Sequence, residues 1–157
     1  MCGHQPGEDG QAVLVIPHSL LRKIIKHARE TYPNECCGIL LGTHSKAGRR
    51  VTNVYAANNK NTKQARDRYE IDPLEYMTVE NSARDSGMAV VGFYHSHPDH
   101  TPHPSTFDAI RAWPTSSLSY LIIAVGKSGP PKYRSWVWHP RKEGFEEEHL
   151  EVAGAAR

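Results

Sequence analysis

Cysteine is scarce in this chain. There are three cysteines in 157 residues, and two of them, Cys36 and Cys37, are adjacent. That excludes the disulfide framework that staples many small secreted domains. Long apolar runs are missing as well, and no stretch approaches the roughly 20 residues that cross a bilayer. The opening Met1-Cys2-Gly3-His4-Gln5-Pro6 lacks the basic and then apolar segments of a secretory signal. Nor is one sign of charge in excess: 19 Lys and Arg stand against 17 Asp and Glu, for a formal net charge of +2. The basic footprint of a dedicated nucleic-acid binder is therefore absent. With 12 Gly and 11 Pro, collagen-like and low-complexity classes are excluded too. What remains is a reduced, cytoplasmic protein with neither a membrane nor a nucleic acid as partner. A chain this long buries about 70% of its unfolded surface, enough for one real core.

Local patterning gives the elements. Residues 1–10 are polar and expected to be disordered, 11–152 form one domain, and 153–157 are a tail. Ala12 to Ile16 reads as a strand. Leu20, Leu21, Ile24, Ile25 and Ala28 then repeat at helical spacing, with Ser19 as the expected N-cap and Tyr32-Pro33 as the stop. Cys36 to Leu41 suits a buried strand, and Ser45 to Gly48 a turn into another, Arg50 to Ala56. Residues 58–68 are polar and expected to form a mobile loop, followed by a short strand at Tyr69 to Ile71. Asp72 caps a helix that has Pro73 at its first position and runs to about Ser86. Met88 to Tyr94 should be a central strand, Ser105 to Trp113 a short helix, and Tyr120 to Val125 and Tyr133 to Trp138 two further strands. Phe145 to Val152 would add an edge strand. Strands alternate with helices first and then follow one another, so the fold class is α/β (α+β) around one mixed sheet.

Histidine, by contrast, is abundant. The chain has 10, and four of them, His95, His97, His100 and His103, fall within nine residues. His95 and His97 are two apart at a strand end, so both rings leave one face of the sheet, with Cβ atoms about 6–7 Å apart. Asp108 lies one turn into the next helix and can swing back as an oxygen ligand. Two histidines and a carboxylate leave a fourth position open, as in catalytic zinc sites. Ser105-x-x-Asp108 is also a capping-box pattern, and the two roles are compatible. Cys36 and Cys37 point to opposite faces of a strand and read as buried thiols. His100 and His103 are expected to face water, the three tryptophans to pack, and both Glu146 to Glu148 and Lys60 to Arg68 to be solvated.

His-x-His, seven residues, then Ser-x-x-Asp, with Glu35 upstream in Pro33-Asn34-Glu35-Cys36-Cys37-Gly38, resembles the JAMM (MPN+) zinc metallopeptidase family. The resemblance runs from about Val13 to Trp138 and is nearest the small, single-domain bacterial branch. It implies a curved mixed sheet flanked by helices, the JAMM/MPN (cytidine-deaminase-like) architecture. It also implies a Zn2+ ion on His95, His97 and Asp108, with Glu35 as general base and Ser105 as donor to the oxyanion. The implied substrate is a ubiquitin-like sulfur-carrier protein cut after its C-terminal Gly-Gly. A tail without side chains would be read through its backbone, by adding to an exposed sheet edge near the zinc. Only Pro114 to Leu118 follow the catalytic helix, where eukaryotic deubiquitinases carry large insertions. The alternative from another class is a non-catalytic MPN-type module that binds a ubiquitin-like partner; members of that kind lack part of the motif, and this chain lacks none. A zinc nucleoside deaminase would require His-x-Glu together with Pro-Cys-x-x-Cys, and that cysteine motif is missing.

Overall fold

The computed structural model describes residues 13–154. The expected disordered segment 1–10 and most of the expected tail lie outside the described residues. Seven strands and three helices occur in the order β1 (Val13–Pro17), α1 (His18–Thr31), β2 (Cys37–Ser45), β3 (Gly48–Ala57), α2 (Pro73–Asp85), β4 (Ala89–Pro98), α3 (Thr106–Arg111), β5 (Ser119–Val125), β6 (Lys132–His139) and β7 (Gly144–Ala153).

The mixed sheet closes on itself in the order β1-β3-β2-β4-β5-β6-β7. β4 pairs with β5 in parallel, and β1 pairs in parallel with both β3 and β7. The C-terminal strand is therefore not an edge. It lies between β6 and β1, with Leu14 opposite Leu150 and Trp138 opposite Phe145. This corrects the expected edge strand at Phe145 to Val152, whereas β1 reaches β3 only at Arg49 and Arg50, so among the described residues β3 from Val51 to Ala57 is paired on the β2 side alone. The N-terminal strand makes the closure, and no local pattern in the sequence displays that long-range pairing.

Helix α1 forms because Leu21, Ile24 and Ala28 recur on one face; all three are buried against Leu14, Ile16, Leu40, Val91 and Leu121. Its N-cap is Pro17, which makes no side-chain cap; Ser19, expected there, lies within the first turn. The chain leaves the helix at Tyr32, as a residue before proline favours. At α2 the expected cap is present: the Leu74 N–H donates to Asp72 Oδ1 at 3.2 Å, with Pro73 following the cap. Val79 and Ala83 of α2 pack on Ile39, Val90, Phe93 and Ile122, forming a second core cluster. Gly38 is required by close approach, since a Cβ there would overlap the Tyr94 ring. The Tyr94 hydroxyl is 2.7 Å from His27 Nδ1 of α1.

A polar lock spans the barrel interior. Arg49 Nε donates to Ser119 Oγ at 2.8 Å and Arg49 Nη2 to Glu148 Oε1 at 3.3 Å, while Ser135 Oγ donates to Glu148 Oε2 at 2.6 Å. These residues come from β3, β5, β6 and β7, and β3 is hydrogen-bonded through its backbone to none of the other three. Glu148 is buried, which corrects its assignment to a solvated acidic run; Glu146 and Glu147 do face solvent. Burial pushes the Glu148 carboxyl up, although Ser119, Ser135 and Arg49 oppose that. Arg49→Met should therefore cost about 3–5 kcal/mol in denaturant unfolding, because it strands a buried carboxylate. Arg49→Met combined with Glu148→Leu should cost clearly less than the single change.

Candidate active site

β4 runs unbroken through His95 and His97 to Pro98, held between β2 and β5. The regular strand puts both rings on one face, and their Nε2 atoms are 3.1 Å apart. α3 begins after Ser105 with a complete capping box. Asp108 N–H donates to Ser105 Oγ at 3.1 Å, and Ser105 N–H donates to Asp108 Oδ2 at 2.8 Å. The box aims the Asp108 carboxylate back at the strand. Its Oδ1 is 3.2 Å from His95 Nε2 and its Oδ2 is 3.0 Å from His97 Nε2. Capping and ligand geometry thus coexist in the same side chain.

His95, His97 and Asp108 form a group whose ligand atoms all lie within 4.8 Å of one another, and all three residues are buried. Tetrahedral bonds of about 2.0–2.1 Å require ligand atoms about 3.3 Å apart. The observed separations of 3.0–3.2 Å fit that requirement closely. The electrostatics agree. Burial opposes ionisation of Asp108, but His95, His97 and the Ser105 amide outweigh it and hold the carboxyl well below the usual range. Burial lowers the His95 pKa, although Asp108 opposes that. An ionised carboxylate is the protonation state a divalent cation needs. His97 Nδ1 is 2.9 Å from the Thr101 carbonyl, an acceptor that orients the ring by taking the Nδ1 proton.

Glu35 stands two residues before β2. Cys37 pairs with His95, and the Ser96 N–H donates to Cys36 O at 3.1 Å, so the next step back sets Glu35 across from His97. Residues opposite in an antiparallel pair share a face. Glu35 is only 3% exposed, and its Oε1 has no hydrogen-bond partner. Burial, followed by the charges of Asp108 and Asp67, pushes its pKa up to about 9.

Several residues at the site escaped the sequence reading. Tyr69, expected in a short strand, forms none; its ring stacks on His95 at 4.5 Å with an interplanar angle of 24°. Arg68, expected to be solvated, lies 3.7 Å from the centroid of Phe107 in α3. Segment 58–68, expected to be mobile, is tied down by hydrogen bonds that include Glu35 N–H to Ala65 O at 2.7 Å. Ser96, between the two histidines, is fully buried, and its Oγ accepts from Cys36 N–H at 2.8 Å. Composition marks a polar loop but carries no signal for where it folds back.

The remaining candidates stay outside the cluster. Cys36 and Cys37 are free and buried, and burial pushes the Cys36 thiol up to about 11 and Cys37 still further. His100 and His103 are exposed, with His103 5.3 Å from the Trp136 ring. Trp136 is buried and its Nε1 donates to Pro102 O at 3.0 Å, while Trp113 packs beside Tyr76 and Phe93 and is 40% exposed.

A closed mixed sheet with helices against it, carrying two histidines at a strand end and an aspartate from a short helix, is the plan of a JAB/JAMM-type domain. The family model described as prokaryotic homologs of the JAB domain matches residues 17–139. The chain belongs to that family. It is 35% identical over 118 residues to a desampylase of Haloferax volcanii, covering 72% of this chain and 80% of that protein. It is 30% identical over 124 residues to a CysO-cysteine peptidase of Mycobacterium tuberculosis, covering 79% and 82%. A solution structure of a protein from Desulfitobacterium hafniense superimposes with a TM-score of 0.77 at 31% identity, covering 90% of this chain and 94% of that one. No helix among the described residues is long and apolar enough to cross a membrane.

The raised Glu35 pKa sets the sign of a pH effect. Between its unfolded value of 4.5 and about 9, the folded metal-free chain holds a proton that the unfolded chain releases. Stability from this group is therefore complete below 4.5 and falls as pH rises toward 9, by at most about 1.4 kcal/mol per unit. Urea unfolding of metal-free protein from pH 5 to 9 should show Glu35→Gln gaining on the parent sequence as pH increases. A constant difference across that range would contradict the assignment.

Proposed function

We propose that this chain is a zinc metallopeptidase that hydrolyses the amide or isopeptide bond following the C-terminal Gly-Gly of a ubiquitin-like sulfur-carrier protein. One observation carries the reading: a buried carboxyl with no hydrogen bond at Oε1, Glu35, accompanies a cluster of three ligands, His95, His97 and Asp108, with no fourth ligand among the described residues. A purely structural zinc site would be closed by a fourth protein ligand. The relatives named as a desampylase and a CysO-cysteine peptidase support a protein-processing role. A cytoplasmic setting, in keeping with the reduced cysteines, belongs to the same proposal.

His95, His97 and Asp108 would hold the zinc. When bound, the ion supplies Lewis-acid polarisation of a carbonyl and lowers the pKa of water. Glu35 takes a proton from the attacking water and returns it to the leaving amine. Its buried position raises its basicity, and a cation held beside it would favour the ionised form that can take the proton. The Ser105 hydroxyl accepts from Asp108 N–H, which leaves its own hydrogen free to point at the developing oxyanion. Tyr69 covers one side of His95 and narrows the approach to a chain without Cβ atoms.

Purified protein should carry about one zinc per chain by metal analysis, and His97→Ala and Asp108→Ala should each lose most of it. Full retention in both variants would remove the site as drawn. Glu35→Gln should keep zinc yet lose at least ~10²-fold in turnover of a Gly-Gly-extended carrier followed by mass spectrometry. Ser105→Ala should cost about 10²-fold in kcat if the hydroxyl stabilises the oxyanion, and only about 1 kcal/mol of stability if it is a cap alone. Changing the last glycine of the carrier to valine should block cleavage, whereas equal cleavage of both carriers would point to a general peptidase.

A further inference from the structure

We infer that Asn59, just beyond β3, is a positioning residue that holds Glu35 and the wall formed by residues 58–72 together as one unit. The inference rests on the proposed role of Glu35. The Asn59 Nδ2 group donates to Glu35 O at 3.3 Å and to Arg68 O at 3.0 Å. Its Oδ1 accepts from Asn61 N–H and from Glu70 N–H, both at 3.0 Å. Both donors and both lone pairs of the amide are thus used. The orientation is unambiguous, because a flipped amide would set its oxygen against two carbonyl oxygens.

This one side chain closes residues 59–70 into a ring, reinforced by Lys60 N–H donating to Glu70 O at 2.8 Å. The ring then grips the Glu35 peptide from both ends, accepting its N–H at Ala65 O and donating to its carbonyl from Asn59. The following amide, Cys36 N–H, is held by Ser96 Oγ from β4. That backbone anchoring matters because Glu35 Oε1 has no partner of its own. With no hydrogen bond at that oxygen, the aim of the carboxyl comes from where its backbone is fixed. The same ring delivers Tyr69 onto His95 and Arg68 onto Phe107 of α3. A residue needed only to staple a surface loop would have no reason to reach Glu35.

Asn59→Asp tests this with almost no change of shape. It keeps the acceptor for the two N–H groups and places an oxygen against the Glu35 and Arg68 carbonyls. In zinc-loaded protein, kcat on a Gly-Gly-extended carrier should fall at least ~10-fold with KM changed less than about threefold, the pattern of a misaimed group. Zinc content should stay at the parent level. Hydrogen exchange of the Glu35 amide should accelerate at least ~10-fold, since its acceptor belongs to the ring. Asn59→Ala, without the repulsion, should move all three readings the same way by less. Parent kcat in both variants would overturn the inference and leave the role of Glu35 intact. Loss of zinc with the activity would also overturn it, by placing Asn59 behind the metal cradle instead. If the parent zinc protein cleaves no carrier, the functional reading falls; exchange then decides the positioning role, with unchanged Glu35 protection refuting it and faster exchange supporting it.

Discussion

The Asp108 carboxylate is the group on which the rest of the site depends. It is buried, so it must be stabilised as an anion or protonated. Three things keep it ionised: the Ser105 amide at the start of α3 and the Nε2 atoms of His95 and His97. Each of those contacts also fixes geometry. The amide sets the first turn of a helix only six residues long, and the imidazoles set the separation of the two histidines across one face of β4. A short helix of this kind would be marginal alone. Here its capping box doubles as the device that turns a carboxylate toward the strand.

Glu35 experiences the same burial and responds in the opposite way. Asp108 has hydrogen-bond donors and is held low; Glu35 has none at Oε1 and faces two other carboxylates, so it is driven up. Two acids in one site with pKa values pushed apart is the usual physical mark of a division of labour between charge stabilisation and proton transfer. The arrangement costs stability in the metal-free chain, and the fold offsets that elsewhere. Leu14, Ile16, Ile24, Leu40 and Leu121 are fully or almost fully buried around α1, and the Arg49–Glu148 lock crosses the barrel toward the opposite end of β4.

Closure of the sheet gives β4 its rigidity. The strand pairs with β2 from Ala89 to His95 and with β5 from Gly92 to Pro98, and Ser96 adds a side-chain tie to Cys36, just before β2, between the two histidines. The loop that covers the site has no strand or helix of its own. Its order comes from side-chain and backbone hydrogen bonds, many of them passing through Asn59. A site that must admit a polypeptide tail can use such a wall, because hydrogen bonds of this kind open locally at lower cost than a packed core.

Short-range chemistry was legible in the sequence alone. The period-two spacing of His95 and His97, the Ser105-x-x-Asp108 box, the Asp72 cap with Pro73, and the helical spacing of Leu21, Ile24 and Ala28 all act within a few residues. Backbone periodicity therefore dictates them directly, and the resemblance to a metallopeptidase motif follows from the same positions. Pairings across long separations were not legible. The insertion of β7 between β6 and β1, the burial of Glu148 within an acidic run, and the stacking of Tyr69 on His95 each join residues 26 or more apart. No local pattern encodes such contacts, because polar and aromatic residues in a loop look alike whether they face water or a metal site. The motif determined which atoms could form the centre; only the closed barrel and its folded-back loop decided what surrounds them, since burial is a property of the assembled structure and not of any segment.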